Sequence, residues 1–191
     1  MVAVTRQVLR PAQPGDICVL LAPADPEEEG RLRLCQQALQ TQLGGRPASP
    51  VHLTCQRFQI ADPSGLSGFV DRLAAWMTGL PPLEFAATGM EVLHLDDKFN
   101  ALKWRVDLSP EYCHFLERLH DEVQAVGGRS TYPLGWASRL VTALYRIDTE
   151  RLHLVGDSGF PYPLFTAKTV VISQYLKRLS YKTLETFQFA D

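Results

Sequence analysis

His52 and Thr54 stand one residue apart in Pro50-Val51-His52-Leu53-Thr54, a stretch whose polar and apolar residues alternate. With the two-residue period of a strand, both side chains fall on one face, and Val51, Leu53 and Cys55 fall on the other. An imidazole gains or loses a proton near neutral pH. A hydroxyl beside it can hydrogen-bond a phosphoryl oxygen and hold it in place. The pair is therefore a compact unit for acid–base work on a phosphate. Opening a 2′,3′-cyclic phosphate in this way takes two such units, one activating the attacking water or hydroxyl and one protonating the leaving oxygen. That chemistry needs no metal and no cofactor, and neither is expected. Cys18, Cys35, Cys55 and Cys113 are widely spaced with no Cys-x-x-Cys, and nothing pairs His94, His114 or His120 at metal-ligand spacing. The cysteines are expected to be reduced, and those in apolar segments buried. His-x-Thr alone is a weak motif, so its weight depends on the elements around it.

Ile17 to Ala22 is a continuous apolar run between Pro14-Gly15-Asp16 and Pro23, the pattern of a buried strand. Asp25 is placed to cap a helix that opens on Pro26 and three glutamates and buries Leu32, Cys35, Leu39 and Leu43. Gly44-Gly45 ends it. The His52 strand, Val51 to Ile60, comes next, then an amphipathic helix from Phe69 to Leu80 stopped by Pro81-Pro82, then one or two strands between Phe85 and Leu95. Ala101 to Leu108 is strand-like. Ser109 caps a third helix that starts at Pro110, carries Phe115, Leu119 and Val123, and stops at Gly127-Gly128. Trp136 to Ile147, Arg151 to Val155 and Ala167 to Ser173 read as strands. Gly156-Asp157-Ser158-Gly159 reads as an ordinary turn. The C-terminal segment carries no clear pattern.

The two halves of this list resemble each other. Each runs strand, proline-started helix, Gly-Gly-Arg, loop, proline, strand. Gly44-Gly45-Arg46 is followed by Pro50, and Gly127-Gly128-Arg129 by Pro133, at the same spacing. Pro82-Leu83-Glu84-Phe85 is echoed by Pro163-Leu164-Phe165. A repeat of this kind predicts two β-α-β lobes facing each other across a pseudo-two-fold axis, with the strand after each Gly-Gly-Arg lining a shared cleft. One domain, 1–191, is expected, with lobes at about 15–95 and 100–175 and the C-terminal segment completing the fold.

Pro50-Val51-His52-Leu53-Thr54, following a strand and an amphipathic helix, resembles the first His-x-Thr/Ser motif of the 2H phosphoesterases, the 2′-5′ RNA ligase-like superfamily. The likeness in layout runs from about Ile17 to Ser173. It implies an α+β fold of two lobes, with two antiparallel sheets facing a central cleft and helices outside. The activity it implies is cyclic phosphodiesterase, 2′-5′ RNA ligase-like or RNA-end processing chemistry, with a nucleotide or RNA terminus as partner.

The second motif departs from that pattern. Trp136-Ala137-Ser138-Arg139-Leu140-Val141-Thr142 resembles the Trp-x-Pro-His-x-Thr context of the superfamily. Arg139 then stands where the second histidine belongs, with Val141 at the hydroxyl position. Shifted by one residue, Leu140 and Thr142 take those places. His153, in His153-Leu154-Val155, is a rival lacking the following hydroxyl. Arginine grips phosphate well but cannot exchange protons near neutral pH. The expected site is therefore His52 and Thr54, with Arg139 and Thr142 on the phosphate, and His153 or Tyr145 recruited if the usual two-histidine mechanism is to run.

Composition leaves room for this. The 191 residues are 46% hydrophobic, enough for one sizeable core. The net charge of -2 excludes a broad basic face for non-specific nucleic-acid binding, but not a few donors around one phosphate. The longest apolar run is too short to span a bilayer and the first fifteen residues hold no apolar signal core, so a cytoplasmic protein with no membrane partner is expected. Three roles remain open: a 2H-type enzyme, a non-catalytic nucleotide-binding module of the same fold, and a scaffold whose repeat is purely architectural.

Overall fold

The structure is a computed structural model that describes residues 2–62, 64–96, 99–133, 135–156, 159–177 and 180–190. The first half contains β1 (Ala3–Val8), β2 (Ile17–Pro23), α1 (Pro26–Leu43), β3 (Arg46–Pro47), β4 (Leu53–Gln59), α2 (Ser64–Met77) and β5 (Leu83–Asp96). The second contains β6 (Phe99–Val106), α3 (Pro110–Ala125), β7 (Arg129–Ser130), β8 (Leu140–Tyr145), β9 (Tyr162–Lys177) and β10 (Ser180–Gln188). The fold is α+β.

The helix starts follow the sequence signals. Asp25 accepts a hydrogen bond from the Glu27 amide at 2.7 Å, and the Ser109 hydroxyl accepts one from the Tyr112 amide at 3.1 Å. Each satisfies an amide that the helix itself leaves unpaired, and each is worth about 1 kcal/mol. Both helices then run into a Gly-Gly pair. Gly44 and Gly127 have φ of +66° and +67°. The second glycine of each pair is needed for a close approach: a Cβ on Gly45 would meet the Tyr145 carbonyl oxygen at 2.6 Å, and one on Gly128 would meet the Val123 carbonyl oxygen at 2.8 Å.

The strands form a sheet in the order β1-β5-β6-β8-β4-β2-β9-β10, antiparallel except for β1 against β5. Two three-stranded halves, β5-β6-β8 and β4-β2-β9, can be recognised in it. The two sheets expected from the sequence are thus joined, by the Leu53↔Val141 bridge between β4 and β8 and by the β5–β9 pairing from Leu83 to Ala87. One face is covered by helices. Leu32, Leu39 and Leu43 of α1, Phe69, Leu73 and Trp76 of α2, and Tyr112, Phe115 and Leu119 of α3 pack with Val19, Leu21, Leu53, Cys55, Trp104 and Val141 in one buried cluster. Burying a large apolar side chain contributes about 1.5–3 kcal/mol, so this layer holds the strands rigid while their other face is free for a ligand.

The pairing pattern repeats. Val19, Leu20 and Leu21 of β2 pair with Gln56, Thr54 and Leu53 of β4, while Leu102, Lys103 and Trp104 of β6 pair with Leu144, Thr142 and Val141 of β8. Each ladder slips between its first and second pair, so even the irregularity recurs. Under this correspondence Leu53 matches its own partner Val141, and Phe85 of β5 matches its own partner Phe165 of β9. A two-fold axis of the sheet would pass through those two pairs. The short strands cross over in the same manner: β3 pairs with β8, and β7 with β4.

Several segments differ from the sequence expectation. Trp136 to Ile147 is not one strand; Ala137–Arg139 forms a 3-10 turn before β8 begins. Gly135, at φ +76°, breaks the extended path, and the turn is pinned by the Tyr132 hydroxyl donating to the Ala137 carbonyl at 2.8 Å and the Gly135 amide donating to the Ser138 hydroxyl at 3.1 Å. Arg151 to Val155 is not a strand either. Thr149–Leu154 is a 3-10 turn capped by Asp148, whose carboxylate accepts from the Glu150 amide and pairs with Arg151 at 3.0 Å. The unassigned C-terminal segment supplies β10, and the segment before Gly15 supplies β1. Asp157 and Ser158, assigned to a turn from the sequence, lie outside the described residues.

Candidate functional site

The helix-free face of the sheet carries a cavity of about 490 Å³ lined by His52, Thr54, Lys103 and Thr142. A second recess of about 480 Å³ adjoins it and shares His52, Arg46, Phe99, Tyr145, Arg146 and Tyr181. The strand alternation explains the lining. Leu53 and Cys55 point to the helices and His52 and Thr54 to the cavity, just as Leu102 and Trp104 point inward and Lys103 outward.

His52 is half-buried at the entry to β4. Its Nδ1 lies 2.9 Å from the Pro50 carbonyl oxygen, which can only accept, so Nδ1 carries the proton and Nε2 is left as the base. Burial holds the imidazole pKa below its ordinary value. The Pro50 hydrogen bond opposes that shift and the Lys103 charge adds to it. The ring of Tyr181 meets it edge-on with centroids 6.4 Å apart. At neutral pH His52 is therefore uncharged and able to accept a proton.

Thr142 and Lys103 lie on neighbouring strands β8 and β6. One step from the Leu53↔Val141 bridge, Thr142 is the cross-strand neighbour of His52, and Lys103 is the register partner of Thr142 on its other side. The row across the sheet is thus His52, Thr142, Lys103. Lys103 Nζ donates to Thr142 Oγ1 at 2.8 Å. Both residues are only 7% exposed. Burial, and then the nearby Arg57 guanidinium, pulls the lysine pKa down to about 8.

Arg10, Arg46, Arg57, Lys103 and Arg146 line the main cavity, and no carboxylate does among its described lining residues. Not all five cations are available to a ligand. Arg57 spends its donors on the Thr131 hydroxyl and carbonyl, at 3.2 and 3.1 Å, and on the Arg10 carbonyl, and it lies 3.5 Å from the fully buried Asp16. Arg10 also pairs with Asp16, at 3.0 Å. These two supply field more than contact. Arg46 and Arg146 sit exposed at the rim, the second with its guanidinium 5.3 Å from the Phe99 ring centre. Cys18 also lines the cavity, but burial pushes its thiol up to about 12, so it is no nucleophile at neutral pH. Among the described residues no group of three His, Cys, Asp or Glu side chains is arranged to hold a metal ion, and no helix is long and apolar enough to cross a membrane.

The remaining candidates fall elsewhere. Arg139 closes the 3-10 turn before β8 and lines neither recess, and its Nε is buried without a hydrogen-bond partner. The strand pairing matches Leu140 to His52 and Thr142 to Thr54, which is the shifted register. Leu140 is buried in a small cluster with Leu9, Leu93, Tyr132 and Ala137. His153 is exposed on the Thr149–Leu154 turn, its Nδ1 3.0 Å from the Glu150 carbonyl oxygen, and it lines neither recess. Tyr145 lines both recesses, and burial raises its pKa, which keeps it neutral. Lys103 was missed in the sequence. Its signal was a cation at the middle of Ala101-Leu102-Lys103-Trp104, on the face opposite Leu102 and Trp104.

The chain has the 2H phosphoesterase fold that its layout led us to expect. Solved structures share it: LigT of Escherichia coli in complex with 3′-AMP, with a TM-score of 0.66 and 11% identity over 94% of this chain and 100% of that one; a phosphoesterase, with a TM-score of 0.63 and 14% identity over 93% and 100%; and Usb1 of Kluyveromyces marxianus, with a TM-score of 0.57 and 14% identity over 91% and 99%. In sequence, no protein-family model and no curated protein matches the chain.

Proposed function

We propose that this chain is a divergent 2H phosphoesterase, one domain of two related lobes at about 15–95 and 100–175, and that its central cavity takes the phosphate end of a nucleotide. The observation that carries the reading is the row His52, Thr142, Lys103, with Thr54 alongside, inside one cavity whose described lining is cationic and free of carboxylates. Two hydroxyls and an ammonium offer the phosphate oxygens directional donors in a site partly closed to water, where such bonds are stronger than in bulk solvent. Structures of LigT, which shares the fold, hold 3′-AMP, NADP+ and ATP. The ligand class is accordingly a nucleotide with a terminal or cyclic phosphate, or the end of an RNA chain. A role in binding alone is favoured by Leu140, an aliphatic residue where the second motif would carry its histidine.

Isothermal titration with 3′-AMP tests this. The expected result is saturable binding that weakens about tenfold in Thr142→Val, as each lost hydrogen bond to a charged group removes about 1.5 kcal/mol or more. No binding by the native chain, or binding by both Thr142→Val and Thr54→Val as tight as the native chain's, would contradict it.

A further inference from the structure

We infer that Lys103 is the second proton-transfer group of this cavity, so that the chain hydrolyses 2′,3′-cyclic phosphates with one histidine and one lysine. The inference rests on the nucleotide-binding reading above and extends it from binding to chemistry.

His52 and Lys103 line the same cavity. His52 and Lys103 stand on either side of Thr142 in the same row of the sheet. The Thr142 hydroxyl accepts a hydrogen bond from the ammonium at 2.8 Å, and Lys103 lines the cavity. The groups facing Lys103 are Thr142 from β8, Glu91 from β5, Arg57 from β4 and His52 just before β4. Glu91 is its register partner, yet among the described residues no ion pair joins them, and the ammonium turns to Thr142 instead. A lysine left in this state is unusual, because buried ammonium groups are normally held by a carboxylate.

The environments of the two groups are set apart in the direction the reaction needs. His52 is held neutral at pH 7 and Lys103, near 8, is still mostly protonated. Water attacks phosphorus while His52 Nε2 takes its proton. The bond from phosphorus to one ribose oxygen breaks, the electron pair stays on that oxygen, and Lys103 Nζ delivers a proton to it. The product is a ribose phosphomonoester with a free neighbouring hydroxyl. His52 then loses its proton and Lys103 regains one from solvent, which closes the cycle with one water consumed.

The correspondence between the halves shows why the substitution is workable. Lys103 matches Leu20 of β2, and Leu140 matches His52. In one half the titratable group sits on the motif strand, and in the other on the strand beside it. Each half keeps its threonine, Thr54 or Thr142, as the phosphate donor between them.

The experiment measures turnover of adenosine 2′,3′-cyclic monophosphate from pH 5 to 10 and binding of 3′-AMP by the same proteins. The native chain is expected to turn over with an alkaline limb near pH 8. Lys103→Arg should keep 3′-AMP affinity within about threefold and lose turnover by about 100-fold or more, since a guanidinium holds phosphate but gives up no proton. Lys103→Met should lose turnover likewise. Turnover in Lys103→Arg within about threefold of native overturns the inference, as does a native chain that binds 3′-AMP but turns over nothing at any pH. Failure of 3′-AMP to bind at all would remove the underlying binding reading as well.

Discussion

The two motif strands of this molecule have the same backbone and different chemistry. Around β4, Leu20, His52 and Thr54 stand in the positions that Lys103, Leu140 and Thr142 occupy around β8. The ladders agree to the level of a shared slip, and the side chains they carry differ. One half keeps its proton carrier on the motif strand and an aliphatic residue beside it, and the other reverses the two. The comparison teaches that a site built on a doubled strand ladder offers each function two seats per half, and that losing a histidine from one seat need not remove the proton from the cavity.

The largest effect that can break the comparison is at His52. His52→Ala should lower turnover of a cyclic phosphate by about 10²–10⁴-fold, the range for removing a positioned acid or base. A drop under tenfold would mean that the two halves do not divide the work as described.

The next effect is on stability and sharpens the role of Lys103. Its folded pKa, about 8, lies below that of an unfolded lysine, so the folded state binds fewer protons between about pH 8 and 10.4. The sign follows: burial of this charge destabilises the fold below pH 8, and the penalty is relieved as pH rises through that window. Lys103→Met should therefore be more stable than native at pH 7, by on the order of 2 kcal/mol, with the gap closing toward pH 10. Urea denaturation at the two pH values checks it. A variant that gains stability while losing turnover would mark a residue kept for function.

The other seat of the same half gives the opposite result. Leu140 is 2% exposed in a tight apolar cluster, and Leu140→Ala should cost about 2–4 kcal/mol in the same assay. The smallest effect is expected at Arg139, which lines neither recess. Arg139→Ala should leave 3′-AMP affinity within about twofold, less than 0.5 kcal/mol, by titration calorimetry.

The parts of this site that the sequence made legible share one property: they depend on local chemistry. Asp25-Pro26, Ser109-Pro110 and the two Gly-Gly pairs mark helix ends by hydrogen bonds and backbone angles confined to a few residues, and each falls where expected. His52 and Thr54 share a face because strand alternation is local too. The second motif was obscure because its register is set from afar. The Gly-Gly-Arg tripeptides are 83 residues apart, while the bridged pair Leu53 and Val141 is 88 apart. The five additional residues are absorbed by the loop and 3-10 turn ahead of β8, which hydrogen bonds from Tyr132, Gly135 and Tyr112 hold in place. Counting from the tripeptide could not reveal that insertion. The place of Lys103 in the site was hidden for the same reason. Of its near neighbours in sequence only Phe99 lines the cavity, and only the β6–β8 register brings Lys103 to Thr142. The exposed His153 illustrates the reverse, a promising residue type that a capped turn carries away from the cleft.

The account stands on His52 facing a phosphate within the cavity, and the ring protons of that imidazole report on it directly. Proton NMR of the His52 ring during a pH titration, with and without saturating 3′-AMP, would measure its pKa in both states. The predicted result is a free pKa below the ordinary 6.5 that rises on binding, as a phosphate anion beside Nε2 stabilises the imidazolium. An unchanged His52 resonance and pKa in the presence of bound 3′-AMP would place the nucleotide elsewhere and contradict the account.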